Sequence, residues 1–423
     1  LGKSVLLAER DKLGGTCLNR GCVPTKSFLN AAKLYHHAVS SEVFGVTVQS
    51  AAFDYARMKA RTEKVQETLR GAVAGMMRRR KVEILAGEAV ILDRNRVQVG
   101  GKTYEGANLL VAAGSRPAMP PIPGLKDNPA VVDSTGILGL PRLAGSLAVI
   151  GGGVVGIEFA CFYSLLGVKV SVVEMLPQIC GNIDREISVT LQRKLESRGV
   201  AVHTGAAVKK MDGGEIFFAD REGKPQTVKA DLVLVAAGRT PNLEGYGLEN
   251  LNLDADRSGV RVNGKAETSL PRVYAAGDVA GRMQLAHFAA RQGAVAAENM
   301  FGGSAVCREI AVPAVVYTDP EIAVVGLTGE QAKERGLAAR SLKMPLGASG
   351  RFLAETEGER GFVKAVLGER GVLLGMHVVG PYASEMIGAA CVMIENEMRA
   401  GDIRELVFPH PTVGELMRDV MSM

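Results

Sequence analysis

Between Leu147 and Glu174 the chain reads as a strand, a glycine loop, a helix and a second strand that ends in an acid. The first strand is Leu147-Ala148-Val149-Ile150, and the loop Gly151-Gly152-Gly153-Val154-Val155-Gly156 has the pattern GxGxxG. An apolar helical run follows to Leu166, then the apolar stretch from Val168 to Val173, then Glu174, 18 residues after Gly156. The glycine pattern alone is a weak signal. Between a strand and a helix, with an acid at that spacing, it specifies a β–α–β unit that holds a dinucleotide. The glycines permit a tight turn, approach of the backbone to a pyrophosphate, and close packing of helix on strand. The helix N-terminus favours the phosphate charge. Glu174 can accept from an adenosine ribose and would repel a 2′-phosphate. No Arg follows until Arg185, so the expected ligand is NAD rather than NADP.

Parts of this unit recur. Val111-Ala112-Ala113-Gly114-Ser115-Arg116-Pro117 matches Val235-Ala236-Ala237-Gly238-Arg239-Thr240-Pro241 at an offset of 124. Leu1-Gly2 precedes Glu9 as Leu166-Gly167 precedes Glu174, each across eight positions with an apolar strand between. The chain is therefore expected to hold two related dinucleotide-binding units in an α/β architecture. The second is complete. The first is entered partway, with its own glycine loop expected before Leu1, so the chain reads as N-terminally shortened.

A third feature carries chemistry. In Gly14-Gly15-Thr16-Cys17-Leu18-Asn19-Arg20-Gly21-Cys22-Val23-Pro24-Thr25-Lys26, two cysteines stand five positions apart before a helix-like run. Pro24 suits a first helical turn, where its missing N–H would be unpaired anyway. Cys22 then lies at the helix N-terminus, whose partial positive charge stabilises a thiolate. A close dithiol with one activated member is suited to thiol–disulfide exchange. Cys161, Cys180, Cys307 and Cys391 are scattered singly, which excludes a disulfide framework or zinc spacing and suits a reducing compartment. The six histidines make no metal spacing. With 50 basic and 45 acidic residues the charge is too even to argue for nucleic acid or membrane binding. The one basic run, Arg78-Arg79-Arg80-Lys81, reads as the solvated end of a helix. No apolar run reaches membrane-spanning length. A length of 423 residues suggests about three domains.

The cysteine segment resembles the redox motif of the flavin-dependent pyridine nucleotide–disulfide oxidoreductases. The resemblance runs from residue 1 to about residue 417, and the chain looks most like the members that oxidise dihydrolipoamide. It implies an α/β fold with two Rossmann-like dinucleotide-binding domains, for FAD and NAD, and an α+β C-terminal dimerisation domain. The implied segments are 1–117 for the first part of the FAD domain, 118–243 for the NAD domain, 244–310 for the FAD return segment and 311–423 for the interface domain. At the FAD site, Glu9 would take the ribose and Gly14, Gly15 and Thr16 would bring backbone near the cofactor. Ala113-Gly114-Ser115 resembles the return loop, and Ala89 falls in a shorter contact loop. Tyr274-Ala275-Ala276-Gly277-Asp278-Val279 resembles the second FAD motif, which delivers Asp278 to the ribityl chain. Gln284-Leu285-Ala286-His287 resembles a flavin-flanking helix start, where members often carry Met at the position of Gln284. Lys26 resembles a lysine near flavin N5, with Glu158 as its partner. The NAD set is Gly151, Gly153, Val154, Val155, Gly156, Glu174 and Gly238. No metal is implied.

Phe408-Pro409-His410-Pro411-Thr412-Val413-Gly414-Glu415 resembles the C-terminal active-site motif. His410 would be the base that takes a thiol proton, and Glu415 would orient its imidazole. Members usually carry a second histidine where Phe408 stands. Thr412-x-x-Glu415 also reads as a capping box, and both roles can hold at once. Tyr317-Thr318-Asp319-Pro320-Glu321 and Gly380-Pro381-Tyr382-Ala383-Ser384-Glu385 resemble the dimerisation domain. The family's histidine acts on the first cysteine of the other subunit, so a homodimer is implied. The activity implied is oxidation of dihydrolipoamide to lipoamide with NAD⁺ as acceptor, through a Cys17–Cys22 disulfide. The implied partners are the lipoyl domains of 2-oxoacid dehydrogenase or glycine cleavage complexes. A bacterial cytoplasm is the expected location, with a mitochondrial matrix as the eukaryotic counterpart. Glutathione reduction would call for basic residues after the second nucleotide strand, where Glu174 stands. Mercuric reduction would call for a vicinal cysteine pair near the end, where the chain reads Asp419-Val420-Met421-Ser422-Met423. The rival of another class is an FAD-deficient, inactive dimer with a structural role, and flavin content separates the two.

Overall fold

The computed structural model describes residues 2–281 and 283–423. Leu1, which opens the shorter of the two sequence repeats, lies outside the described residues. The chain divides into two compact units, each assembled from three separate stretches.

The first unit comprises Leu1–Ser27, Ala56–Ala118 and Gly238–Arg308. Its strand Leu6–Glu9 pairs in parallel with Glu83–Ala86, and the long helix Tyr55–Arg79 leads into the second of these. Arg78 and Arg79 occupy the last turn of that helix, where cations complement the free carbonyls. A three-stranded antiparallel sheet, Ala89–Ile91, Arg96–Val99 and Lys102–Glu105, follows. Leu109–Val111 then pairs in parallel with Val273–Ala275 from the far end of the sequence. The two copies of the longer repeat also meet. Ser115–Pro117 pairs antiparallel with Arg239–Pro241, placing Ser115 opposite Pro241 and Pro117 opposite Arg239. Ile91, Val111, Leu248, Val273 and Val279 form the core beneath.

The second unit comprises Phe28–Tyr55, Met119–Ala237 and Glu309–Met423. It holds a five-stranded parallel sheet in the order Ala201–Thr204, Lys169–Glu174, Ser146–Ile150, Leu232–Val235, Val131–Asp133. The glycine-loop helix, Val154–Leu165, packs on the two strands that flank the loop. Every residue from Gly156 to Leu165 in it is buried, which explains why its sequence is apolar around nearly its whole circumference, Glu158 excepted. Phe28 and Phe53 pack their rings against Phe162 of this helix, at 5.4 and 6.4 Å between centroids. A second sheet is antiparallel throughout, in the order Ala314–Val316, Ile322–Gly326, Leu373–Val379, Phe362–Leu367, Arg340–Pro345. The helix Ala383–Glu395 covers it. Among the described residues no helix is long and apolar enough to cross a membrane.

Candidate functional site

The dithiol lies at a break between two helices. Gly14 precedes the short helix Gly15–Arg20, which carries Thr16 and Cys17. Cys22 opens the helix Cys22–Val39, so Pro24 falls in its first turn and Lys26 one turn in. Gly21 marks the break, because a Cβ there would stand 3.0 Å from the carbonyl oxygen of Thr16. That carbonyl-lined corner is closed by Thr25, whose Oγ1 donates to the Gly21 carbonyl at 2.7 Å. Cys17 is half-buried and Cys22 exposed, both as free thiols. A hydrogen bond to Cys22 and burial hold the Cys17 thiol far above the ordinary cysteine range, against the opposing pull of Lys26. Cys22 stands at the helix N-terminus, whose partial positive charge favours a thiolate.

Of the residues that the resemblance assigns to the flavin, Ser115 and Asp278 form a connected polar group with Arg239. Ser115 Oγ donates to Asp278 Oδ2 at 2.5 Å. Ser115 Oγ in turn accepts from Arg239 Nε at 2.7 Å, and Arg239 Nη2 donates to the Ser115 carbonyl at 2.8 Å. The Arg239 guanidinium lies 3.6 Å from Asp278 Oδ2, completing an ion pair. Gly277 donates its N–H to Gln292 Oε1 at 2.9 Å. Glu9 ends its strand and accepts from the Asp11 N–H at 2.9 Å. Ala89 opens a strand. Ala113 gives its carbonyl to Asn242 Nδ2 at 2.8 Å. Gln284 and Leu285 lead into the helix Ala286–Asn299, with Leu285 at its N-cap and His287 in its first turn. A Cβ at Gly114 would meet nothing within 4 Å. Arg239 and Gln292 were not singled out from sequence. Arg239 carried a usable signal, since it follows Gly238 in the longer repeat. Gln292 carried none.

The glycine loop of the second unit separates the glycine roles. A Cβ on Gly151, at φ +106°, would stand 2.5 Å from the Ala236 carbonyl oxygen, and one on Gly156 would stand 2.2 Å from that of Gly151. Gly153 has open space where its Cβ would be. Two glycines thus serve packing and the third leaves room for a ligand at the start of the helix Val154–Leu165, where Val154 and Val155 form the first turn. Glu174 is buried, and its carboxylate accepts from the N–H groups of Gly152 and Leu176. The acid therefore fixes the loop. Gly238, placed with these residues from sequence, belongs to the first unit.

His410 is exposed and its Nδ1 lies 3.1 Å from Glu415 Oε1. Glu415 Oε2 accepts the Thr412 N–H at 3.0 Å. That backbone bond, then the imidazole, hold the Glu415 carboxyl below its ordinary value. With Nδ1 turned to the carboxylate, Nε2 is the nitrogen left to meet a substrate proton. The capping box is only half formed. Thr412 Oγ1 donates to the Pro409 carbonyl instead, and the helix Leu416–Asp419 starts after Glu415. Glu158, buried in the glycine-loop helix, accepts the Tyr317 N–H at 2.9 Å. Lys26 belongs to the first unit and Glu158 to the second. Among the described residues no group of three or more His, Cys, Asp or Glu could hold a metal.

These geometries fit what the chain is similar to. Residues 1–293 match the family model described as pyridine nucleotide-disulphide oxidoreductase, and residues 312–421 match its dimerisation domain. A dihydrolipoyl dehydrogenase of Geobacillus stearothermophilus is 37% identical over 98% of this chain and 90% of its own length. One of Thermus scotoductus is 40% identical, over 98% and 91%. Among solved structures, LpdA of Mycobacterium tuberculosis superposes with a TM-score of 0.90 at 26% identity, covering 100% of this chain and 94% of that one. The chain belongs to the pyridine nucleotide-disulphide oxidoreductases, in the group of the dihydrolipoyl dehydrogenases.

Proposed function

We propose that this chain oxidises dihydrolipoamide to lipoamide, with NAD⁺ as acceptor and Cys17–Cys22 as the redox disulfide. The observation that carries the reading is the dithiol itself, two hydrogen-bonded thiols at a helix start with the proton held on Cys17. In the first step His410 takes the proton of one substrate thiol at Nε2, while Glu415 stabilises the imidazolium through Nδ1. The substrate thiolate attacks Cys17 Sγ, the Cys17–Cys22 bond breaks, and Cys22 leaves as a thiolate stabilised by the helix N-terminus. The second substrate thiol attacks the mixed disulfide, which releases lipoamide and returns a proton to Cys17. FAD, when bound, supplies the relay that carries the dithiol's two electrons to NAD⁺.

Asp278 and Ser115, braced by Arg239, would hold the flavin's sugar-like chain, and Glu9 its ribose. Gly14, Gly15, Thr16, Ala89, Ala113, Gly114 and the start of the helix at Gln284–His287 would line the rest of that site. Gly151–Gly156 and Glu174 would hold NAD⁺. We further read the segments 1–117, 118–243, 244–310 and 311–423 as FAD, NAD, FAD-return and interface parts. The interface segment would form a homodimer whose two subunits share each active site, serving lipoyl domains in a bacterial cytoplasm. The dimerisation-domain match and the bacterial relatives support this.

The test is the visible spectrum of the purified protein before and after dihydrolipoamide. A bound-flavin band that gains a long-wavelength thiolate-to-flavin feature supports the reading. A protein that stays colourless after incubation with FAD overturns it.

A further inference from the structure

We infer that a polar stripe on the helix Tyr55–Arg79, formed by Thr62, Gln66 and Arg70, sets the separation of the two thiols and thereby the reduction potential of the Cys17–Cys22 pair. The inference rests on reading that pair as the redox disulfide. The three residues stand four apart, so they share one helix face. Thr62 is 2% exposed and Gln66 8%. Polar side chains so buried need partners, and these find them on the segment that carries the cysteines.

Gln66 Nε2 donates to the Leu18 carbonyl at 3.2 Å and to the Asn19 carbonyl at 2.7 Å. Both carbonyls lie in the last turn of the short helix Gly15–Arg20, where no intrahelical partner remains. Arg70 Nη1 donates to Asn19 Oδ1 at 3.2 Å. The Asn19 amide donates onward to the carbonyls of Lys12 (3.3 Å), Leu13 (3.1 Å) and Gly15 (2.9 Å). The chain just after Cys17 is thus held from the helix face and tied back to the chain before it. Beyond Cys22 the same face acts again. Thr62 Oγ1 gives its proton to the Met58 carbonyl and so accepts from Ser27 Oγ at 2.8 Å. One face grips both arms of the dithiol, on either side of the break at Gly21.

Closing the disulfide joins two sulfurs and releases two protons and two electrons. Its equilibrium depends on how closely the thiols are held before the bond forms. The covalent bond restrains the oxidised form, so the stripe acts chiefly on the dithiol. Loosening it lowers the effective concentration of one thiol at the other, disfavours closure and raises the potential. None of the three residues need touch substrate or cofactor. They are positioning residues.

The experiment equilibrates the whole chain against dithiothreitol buffers of graded redox ratio, traps free thiols by alkylation and reads the peptide carrying Cys17 and Cys22 by mass. Gln66→Leu is expected to shift the midpoint about tenfold toward the dithiol, about 30 mV. Arg70→Met should shift it in the same direction by less. Glu63→Ala, on an exposed face of the same helix, should leave it unchanged. Gln66→Leu with the wild-type potential and melting temperature overturns the inference. Should Gln66→Leu not fold, Arg70→Met decides, and a wild-type potential there overturns it too. A wild type that forms no Cys17–Cys22 disulfide in any buffer refutes the redox reading itself. A disulfide that forms with the same potential in every variant refutes only the brace.

Discussion

At the scale of the residue, the two thiols differ because their surroundings differ. Cys17 keeps its proton through its bond to Cys22 and its burial, while Cys22 starts a helix of 18 residues. The roles are therefore expected not to exchange. Cys17→Ser should abolish reduction of NAD⁺ by dihydrolipoamide, and steady-state turnover at the wild-type rate would contradict its assignment. Cys22→Ser should also be inactive, but its Cys17 thiol should alkylate slowly with iodoacetamide, because desolvation still opposes its ionisation. His410→Gln keeps a polar group near Glu415 yet removes the base. It should lower kcat by about 10²- to 10⁴-fold with little change in NAD⁺ binding. The Glu415 carboxylate lies below its ordinary value through Thr412 and then His410. It therefore stays ionised across the working range, and the contact to the imidazole is lost only as pH falls below about 4. Glu415→Gln should lower kcat by less than His410→Gln does, because the imidazole loses its orienting carboxylate but keeps its base.

Elements show why some positions tolerate no change. The loop Gly151–Gly156 turns so tightly that a methyl group on Gly156 would stand 2.2 Å from a carbonyl oxygen. Gly156→Ala should abolish NADH binding, read by nicotinamide fluorescence, and lower the melting temperature as well. Gly153→Ala meets no protein atom. It should fold normally and weaken only the nucleotide, a contrast that separates packing from ligand contact. The helix Arg185–Ser197 depends on its N-cap. Asp184 accepts from the N–H groups of Glu186 and Ile187 and from Lys364 Nζ at 2.7 Å. Burial would lower the Lys364 ammonium, but Asp184 and Glu186 raise it above its ordinary value. Asp184→Ala removes a cap worth about 0.5–2 kcal/mol and strands a partly buried cation. A denaturant titration should show a loss at or above the top of that range.

On the scale of the whole molecule, the second unit joins its parallel and antiparallel sheets by long-range polar contacts. Arg198, from the end of the helix Arg185–Ser197, donates through both terminal nitrogens to the carbonyl and carboxylate of Asp319. Burial pushes the Asp319 carboxyl up, but Arg198 and Lys33 outweigh it and leave the group below its ordinary value. A carboxylate depressed in the folded state adds stability above its unfolded value, and this is lost as pH falls through the folded one. The melting temperature of the wild type should therefore fall below about pH 4. Arg198→Met should lose about 3–5 kcal/mol near neutrality by leaving the carboxylate unpaired, and its melting temperature should depend less on acid. An unchanged acid profile in that variant would show that Asp319 does not carry the dependence.

The sequence by itself determined what is local. The glycine loop with its acid, the cysteine pair before a helix, and His410 five residues ahead of Glu415 are legible because short spacing fixes short distance. Turn, helix start and ligand atoms lie within a few residues, and only certain residue types fit. The complete dinucleotide-type unit was legible for the same reason, since its strand, turn and helix are written in residues next to one another, and the other was legible only as a partial repeat of it. Tertiary structure alone decided what is distant. Arg239 reaches Ser115 across 124 positions, Gln66 reaches the Asn19 carbonyl across 47, and Arg198 reaches Asp319 across 121. An arginine or glutamine in a sequence carries no mark of the carbonyl it will meet. That partner is chosen by how the sheets and helices pack, and packing is a property of the whole apolar pattern rather than of any one segment. The half-formed capping box at Thr412 follows the same rule. The local pattern was present, but the Glu415 carboxylate took the Thr412 N–H and the His410 imidazole, and the helix began one residue after it.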